Sequence, residues 1–377
     1  MIYRPYGQTG TSVSAVGFGC MRFRDPKNVD ECASLIKYAY DKGITYFDTA
    51  IGYGNSEELL GVAFKEMLRT RKDRPFYVSS KTFGATEKDV RKDLETSLTR
   101  MGLEHLDFYH VWCVLTPEAY RNRKQQGMLK AFEKVRDEGL VKNICVSTHM
   151  TGSEIGDLLA DYPFAGVLLG YSAMNFAYRD EGLSAAARRT VGVVVMNPLG
   201  GGLIPEHRER FAFVKAREDE TVVQGALRFL LNDQRITVVL VGFSTTDHVD
   251  EAVEAVDGFR PISDTETTRI RDSVKSAFNE LCTGCRYCDH CPEGVPVPKM
   301  MDAYNHYLLK GDAGEVFNRL KFHWGIKEDS DLFDRCVECG QCEEQCTQKL
   351  RIIERLRWLR EEAHRRRAQS ASGKNKR

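Results

Sequence analysis

Phe47-Asp48-Thr49-Ala50-Ile51-Gly52-Tyr53 is the stretch around which the chain is organised. It continues Ile44-Thr45-Tyr46-Phe47, a short apolar, β-rich run after Gly43 that reads as a buried strand. Asp48 therefore stands where a strand ends, and Tyr53 lies in the loop beyond it. Phe76-Tyr77-Val78-Ser79-Ser80-Lys81 repeats the arrangement, a strand running into a lysine, and Asp107-Phe108-Tyr109-His110-Val111-Trp112 is a third such run. A carboxylate, a phenol and an ammonium at neighbouring strand ends converge in one pocket. An ion-paired lysine beside the phenol favours the phenolate, so the Tyr53 pKa is expected below its usual value.

Outward from this stretch, strand and helix alternate regularly. Residues 2–14 read as a hairpin turning at Gly7-Gln8-Thr9-Gly10. Apolar runs at Val13–Phe18, Ile44–Phe47, Phe76–Ser79, Leu106–Val111, Lys142–Val146, Gly166–Leu169, Val191–Val195 and Ile236–Val241 make eight strands. Helical periodicity fills the gaps, as in Cys32-Leu35-Ile36-Ala39-Tyr40. Eight strand–helix units with strands buried on both faces favour a closed parallel (β/α)8 TIM barrel over an open doubly wound sheet. Gly17-Phe18-Gly19-Cys20 lacks the G-x-G-x-x-G pattern, so a Rossmann domain is not supported. Two loops suit phosphate instead: Asn197-Pro198-Leu199-Gly200-Gly201-Gly202 after strand seven, and Gly242-Phe243-Ser244-Thr245 leading into a helix after strand eight.

The D-T-A-x-x-Y run followed by S-K at a strand end resembles the aldo-keto reductase family over about the first 260 residues. The resemblance implies a barrel that reduces carbonyls, or oxidises alcohols, with NADPH or NADH. It implies Tyr53 as proton donor, Lys81 as the group that acidifies it and Asp48 as the partner that holds Lys81. Gly19, Asp48, Asn197, Pro198, Leu199, Gly200, Gly242, Ser244, Thr245 and Glu251 are the cofactor contacts it implies, and the hairpin would close the barrel floor.

Several positions depart from the family pattern. The usual histidine of D-L-Y-x-x-H falls on Trp112, which is then a residue of the substrate pocket. His110 shares a strand face with that slot but lies about 6–7 Å deeper. It reads either as a core histidine or as a displaced carbonyl polariser. The aromatic that stacks on nicotinamide is Met196 here, the glutamine of strand six is Leu168, and no Lys or Arg lies between Gly242 and Arg260. A 2′-phosphate wants a cation, so the sequence does not separate NADPH from NADH.

Composition bounds the rest. The 377 residues are 42% hydrophobic, and Lys plus Arg equals Asp plus Glu at 54 each. No global charge points to nucleic acid or a membrane surface. Neither a signal peptide nor a membrane span is evident, so a cytoplasmic location is the default expectation. Of 12 cysteines, only Cys20, Cys32, Cys113 and Cys145 precede residue 280, and they read as small core residues.

The other eight form Cys282-x2-Cys285-x2-Cys288-x2-Cys291-Pro292 and Cys336-x2-Cys339-x2-Cys342-x3-Cys346. Three cysteines at x2 spacing wrap one corner of a cubane while the fourth reaches toward a neighbour, the ferredoxin spacing for two 4Fe-4S clusters. Zinc also uses C-x2-C pairs but does not call for four close cysteines twice over. One cluster is thus expected on Cys282, Cys285, Cys288 and Cys346, the other on Cys336, Cys339, Cys342 and Cys291. A branch of the aldo-keto reductases carries such a C-terminal appendage. Met300–Leu309 and Glu315–Phe322 read as helices, so residues 261–363 form a helical ferredoxin-like domain after a barrel of residues 1–260. The basic, Ser-rich 364–377 is expected to be a disordered tail.

Three functions fit these halves: an oxidoreductase acting on a small carbonyl or alcohol; an electron-transfer or scaffold protein whose barrel binds a small ligand while its clusters serve a redox partner; or a reductase with purely structural clusters. Cubanes pass single electrons and nicotinamide passes a hydride, so joining them directly needs a flavin or a radical-competent substrate, and no flavin motif is present.

Overall fold

In the computed structural model the described residues are 1–174, 176, 179–277, 281–282, 288–346 and 350–374, with the side chains of 275–277 and 370–374 outside the description. The chain divides into two compact units, Met1–Thr267 and Thr268–Arg377.

In the first unit, β1 (Tyr3–Pro5) and β2 (Ser12–Ser14) form an antiparallel hairpin. Eight parallel strands follow: β3 (Val16–Gly19), β4 (Tyr46–Asp48), β5 (Tyr77–Thr82), β6 (Leu106–Val114), β7 (Val141–Thr148), β8 (Gly166–Gly170), β9 (Gly192–Met196) and β10 (Val238–Val241). They close in the order β10-β3-β4-β5-β6-β7-β8-β9, the barrel that the alternating pattern predicts. The register sets Gly19 beside Asp48, Asp48 beside Ser79, and Lys81 beside His110. Lys81 and Trp112, placed just past their strands by the sequence pattern, lie inside β5 and β6.

The barrel floor is sealed by Tyr6, from the turn of the β1–β2 hairpin. Its ring is fully buried against Phe108 (centroids 4.1 Å apart) and Tyr46 (6.0 Å). A Cβ on Gly166 would sit 2.1 Å from the Tyr6 hydroxyl and one on Gly192 2.5 Å from its ring. Only glycine at the first residue of β8 and of β9 leaves room for this stopper.

The second unit is helical among the described residues. Val297–Lys310 and Ala313–Trp324 are helices, each ended by a left-handed glycine, Gly311 and Gly325. They pack, through Met300, Met301, Phe317 and Leu320, against Leu356 and Leu359 of a long helix, Ile352–Lys374. That helix corrects the expected disordered tail. His364 pairs with Asp334, Arg365 and Arg366 with Glu362, Arg366 also with Glu328, and Arg367 with Asp334. Local i,i+3 and i,i+4 pairs and reach to a neighbouring segment hold helix where composition alone suggests none.

Candidate active site and cysteine cavity

Asp48, Lys81 and Tyr53 meet at the C-terminal end of the barrel. Asp48 and Lys81 point inward from β4 and β5, and both are buried. The Lys81 ammonium donates to Asp48 Oδ1 at 2.5 Å and to the Thr49 carbonyl at 2.6 Å, and Ser79 Oγ donates to Asp48 Oδ2 at 2.8 Å. Burial is the largest single effect on Lys81 and would depress it, but the charge of Asp48, the neighbouring Tyr53 and the hydrogen bonds to both together outweigh it and hold the ammonium above its usual pKa. Burial pushes the Asp48 carboxyl up as well, against the pull of Lys81 and Ser79; the 2.5 Å contact is the geometry of an ion pair, in an interior where losing either partner strands the other.

Tyr53 stands over this pair, with the ammonium 4.9 Å from its ring centroid. Its loop is pinned: Tyr53 N–H donates to Ala50 O at 2.9 Å, Ser56 N–H to Tyr53 O at 3.1 Å, and Ser56 Oγ to Cys20 O at 2.7 Å. The structure corrects the expected acidity. Although the side chain is only half-buried overall, desolvation pushes the phenol above its usual pKa, and the downward pull of Lys81 is the smaller effect. Tyr53 is thus held protonated, the state of an acid rather than of a phenolate.

His110 is fully buried in register with Lys81 and Cys145. Neither ring nitrogen has a hydrogen-bond partner of normal geometry, although the Val146 backbone lies near enough to favour the charged ring slightly. Burial, then the Lys81 charge, lowers its pKa to about 3. It is a neutral imidazole at any physiological pH.

Two residues further, β6 breaks register. Val111 pairs with Val146 and Val114 with Thr148, so one extra residue is accommodated in a β-bulge, and Cys113 takes a left-handed φ of 53°. Arg123 donates to the Trp112 carbonyl at 2.8 Å. The Trp112 ring meets Tyr53 edge-on, centroids 5.5 Å apart at 85°, and stacks on Phe83 at 4.1 Å and 21°. A Cβ on Gly52 would lie 2.7 Å from Trp112, so glycine makes the space for the indole.

Apart from Asp48 at the end of β4 and Glu251 on a helix, the expected cofactor contacts fall on three neighbouring strand ends. Gly19 ends β3, and Cys20 N–H donates to the Asp48 carbonyl at 2.8 Å. After β9, Asn197 has φ 56° and Gly200, Gly201 and Gly202 have φ 63°, 71° and 103°; Cβ atoms on Gly201 and Gly202 would meet nothing within 4 Å. Pro198 is buried and Leu199 half-buried in this turn. This bare backbone, and Ser244 and Thr245 at the start of the Thr246–Asp257 helix, fit a phosphate-bearing cofactor. Thr245 caps that helix by accepting from His248 N–H at 3.4 Å. Glu251 instead accepts from Thr221 at 2.7 Å, on the outer helices. Sequence reading missed Arg22. Its Cβ lies 3.7 Å from where a Cβ of Gly242 would be, and its carbonyl accepts from Ser244 Oγ at 3.3 Å. The backbone of the first strand's loop thus brings an arginine position beside the last strand's, a pairing visible only once the barrel closes.

In the second unit, Cys288, Cys291, Cys336, Cys339 and Cys342 line one cavity of about 520 Å³, with His290 and Glu338 among its other walls. Cys346 is buried, accepts from Leu350 N–H at 3.4 Å, and packs in the same core as Cys282 and Cys288. Cys285 lies outside the described residues. Asn305, another residue the sequence did not flag, clamps the first run: it accepts from Cys282 N–H at 2.8 Å and donates to Cys282 O at 2.9 Å. Five cysteines on one cavity wall fit an iron–sulfur cluster. Cys20, Cys32 and Cys145 are buried in the barrel unit as expected for core residues, whereas Cys113 is half-buried on the bulge. No helix among the described residues is long and apolar enough to cross a membrane.

The chain resembles known proteins in both units. Residues 15–275 match the model of the aldo/keto reductase family, and residues 281–350 that of the 4Fe-4S dicluster domain. Similar curated proteins include probable aldo-keto reductase 1 of Glycine max, 34% identical over 52% of this chain but only 59% of its own length. L-galactose dehydrogenase of Arabidopsis thaliana is 27% identical over 67% of this chain and 87% of its own. The L-glyceraldehyde 3-phosphate reductase of Escherichia coli O157:H7 is 25% identical over 68% and 88%. The holo form of an aldo-keto reductase from Bacillus halodurans shares the fold, with a TM-score of 0.63 at 21% identity over 72% of this chain and 96% of that one.

Proposed function

The chain belongs to the aldo/keto reductase family, and from that premise we propose that it interconverts a small carbonyl compound and its alcohol with NADPH or NADH. The observation that carries the reading is the buried Lys81–Asp48 pair beneath a protonated Tyr53.

When bound, the nicotinamide supplies or accepts the hydride. Tyr53 gives its hydroxyl proton to the carbonyl oxygen as that oxygen gains charge. Lys81, 4.9 Å from the ring, steadies the phenolate left behind, and Asp48 keeps Lys81 charged and aimed. His110 cannot act as an acid with a pKa of about 3; we assign it a neutral hydrogen-bond donor's role at the pocket floor. Asn197, Pro198, Leu199, Gly200, Gly242, Ser244 and Thr245 would hold the phosphates, with Arg22 beside them as their cation, while Gly19 and Asp48 border the reactive end.

For the second unit we propose two 4Fe-4S clusters with crossed ligation. The cavity that Cys288 and Cys291 share with Cys336, Cys339 and Cys342 supports cluster binding across the two runs, and the crossing itself rests on the ferredoxin spacing. Cys339 is exposed, which suits a cluster that exchanges single electrons with a redox partner rather than with the hydride step. A reducing compartment such as the cytoplasm keeps these thiols available.

The test is nicotinamide oxidation against a panel of aldehydes and ketones. Tyr53→Phe should lose about 100- to 10,000-fold in kcat with cofactor affinity kept; near-normal turnover would remove Tyr53 from the reaction.

A further inference from the structure

We propose that Trp112 and Phe83 form an aromatic wall that selects substrates carrying an aryl group directly beside the carbonyl. The inference rests on the carbonyl-reduction reading and names its substrate class.

Three features build the wall. The bulge between Val111 and Val114 alters the pleat at Trp112, and Arg123 fixes its carbonyl. Gly52 leaves the gap its ring occupies. Phe83, directly after the neighbouring strand β5, stacks on the indole at 4.1 Å yet is 56% exposed. A large apolar ring left half in water beside a reaction centre has surface to bury when something flat arrives.

Position links the wall to the chemistry. Trp112 touches Tyr53 edge-on at 5.5 Å, so a carbonyl oxygen at the Tyr53 hydroxyl has its substituent against the indole–phenyl pair. A directly attached aryl ring is coplanar with its carbonyl and can follow that surface. Polyhydroxylated chains bring hydroxyls that two hydrocarbon rings leave without partners. Met21, 61% exposed after β3, and Leu115, 40% exposed after β6, are further exposed apolar side chains at the same end of the barrel.

The test uses the full chain, purified anaerobically with its clusters. 2-Naphthaldehyde and glyceraldehyde compete for limiting enzyme, which gives the ratio of their kcat/KM values directly. Phe83→Ala and Trp112→Ala should each lower the naphthaldehyde:glyceraldehyde ratio about tenfold, and Trp112→Phe should retain most of it. Phe83 is a surface residue, so its variant stays informative should Trp112→Ala not fold. A second measurement, saturation-transfer NMR, reads binding of 2-naphthalenemethanol without turnover, and the signal should fall in both alanine variants. Ratios unchanged in both would overturn the wall while carbonyl reduction stands. Turnover of neither aldehyde would count against the reaction, and the NMR arm then decides alone: binding indifferent to Phe83 overturns the wall, and binding lost with Phe83 sustains it.

Discussion

His110→Leu should flatten the acid side of the barrel's stability curve. His110 is fully buried without a normal hydrogen-bond partner, and its pKa falls from 6.5 to about 3 on folding. Below pH 6.5 the unfolded chain takes up a proton at this position that the folded chain refuses. Its depressed folded pKa therefore contributes stability that is fully present above about pH 6.5 and is lost as pH falls toward about 3. Integrating between pH 7.5 and pH 5 gives about 2 kcal/mol lost through this one group. Since pH 5 lies well above the folded value, that figure depends almost wholly on the unfolded pKa. Leucine has similar volume and nothing to titrate, so the wild type should lose about 2 kcal/mol more than the variant over this interval. Urea unfolding of the full chain, read by hydrogen-exchange mass spectrometry on the Leu106–Val114 peptide, isolates the barrel from the second unit. Parallel curves for the two proteins would mean that His110 is charged or solvated in the folded state, and the description of it as a neutral buried ring would be wrong.

The same variant should lose about 100-fold in turnover per folded molecule if His110 donates to the carbonyl; unchanged turnover would leave it a core residue. Asp48→Asn strands the Lys81 ammonium in the interior and should cost about 3–5 kcal/mol, seen as a melting point lower by about 6–20 °C; a shift under 2 °C would contradict the ionised pair. Intact protein should carry about eight iron and eight sulfide per chain. Cys346→Ser should then damage the cluster on the first cysteine run and Cys291→Ser that on the second, as read by electron paramagnetic resonance; each variant damaging its own run would refute crossed ligation, and zinc without sulfide would refute the clusters.

The barrel was legible because its signals are local. Asp48 and Lys81 are charges at the ends of apolar runs, and a charge there must find its opposite. What escaped depends on geometry that closes only in three dimensions. Arg22 meets Gly242 because β3 and β10 are neighbours in a ring, though 220 positions separate the two residues. The bulge that carries Trp112 shows only as a mismatch of register with β7. The Tyr53 pKa was misjudged because a neighbouring charge is visible in sequence whereas desolvation is not. His364 to Arg367 are unpatterned to the eye, yet their acidic partners Asp334, Glu328 and Glu362 lie as close as a few residues and as far as 38 away.

The Tyr6 stopper makes the barrel a blind well. With the floor closed by an aromatic ring and two glycines moulded to it, the deep interior has no back door. If Tyr53 is the proton donor proposed above, reactant, product and the proton that recharges it share one doorway. On the proposed chemistry the donor is reset from the front, and reprotonation is expected to follow product departure. Timing of this kind is imposed by plumbing rather than by any residue that reacts, and a wider floor would abolish it without touching the chemistry.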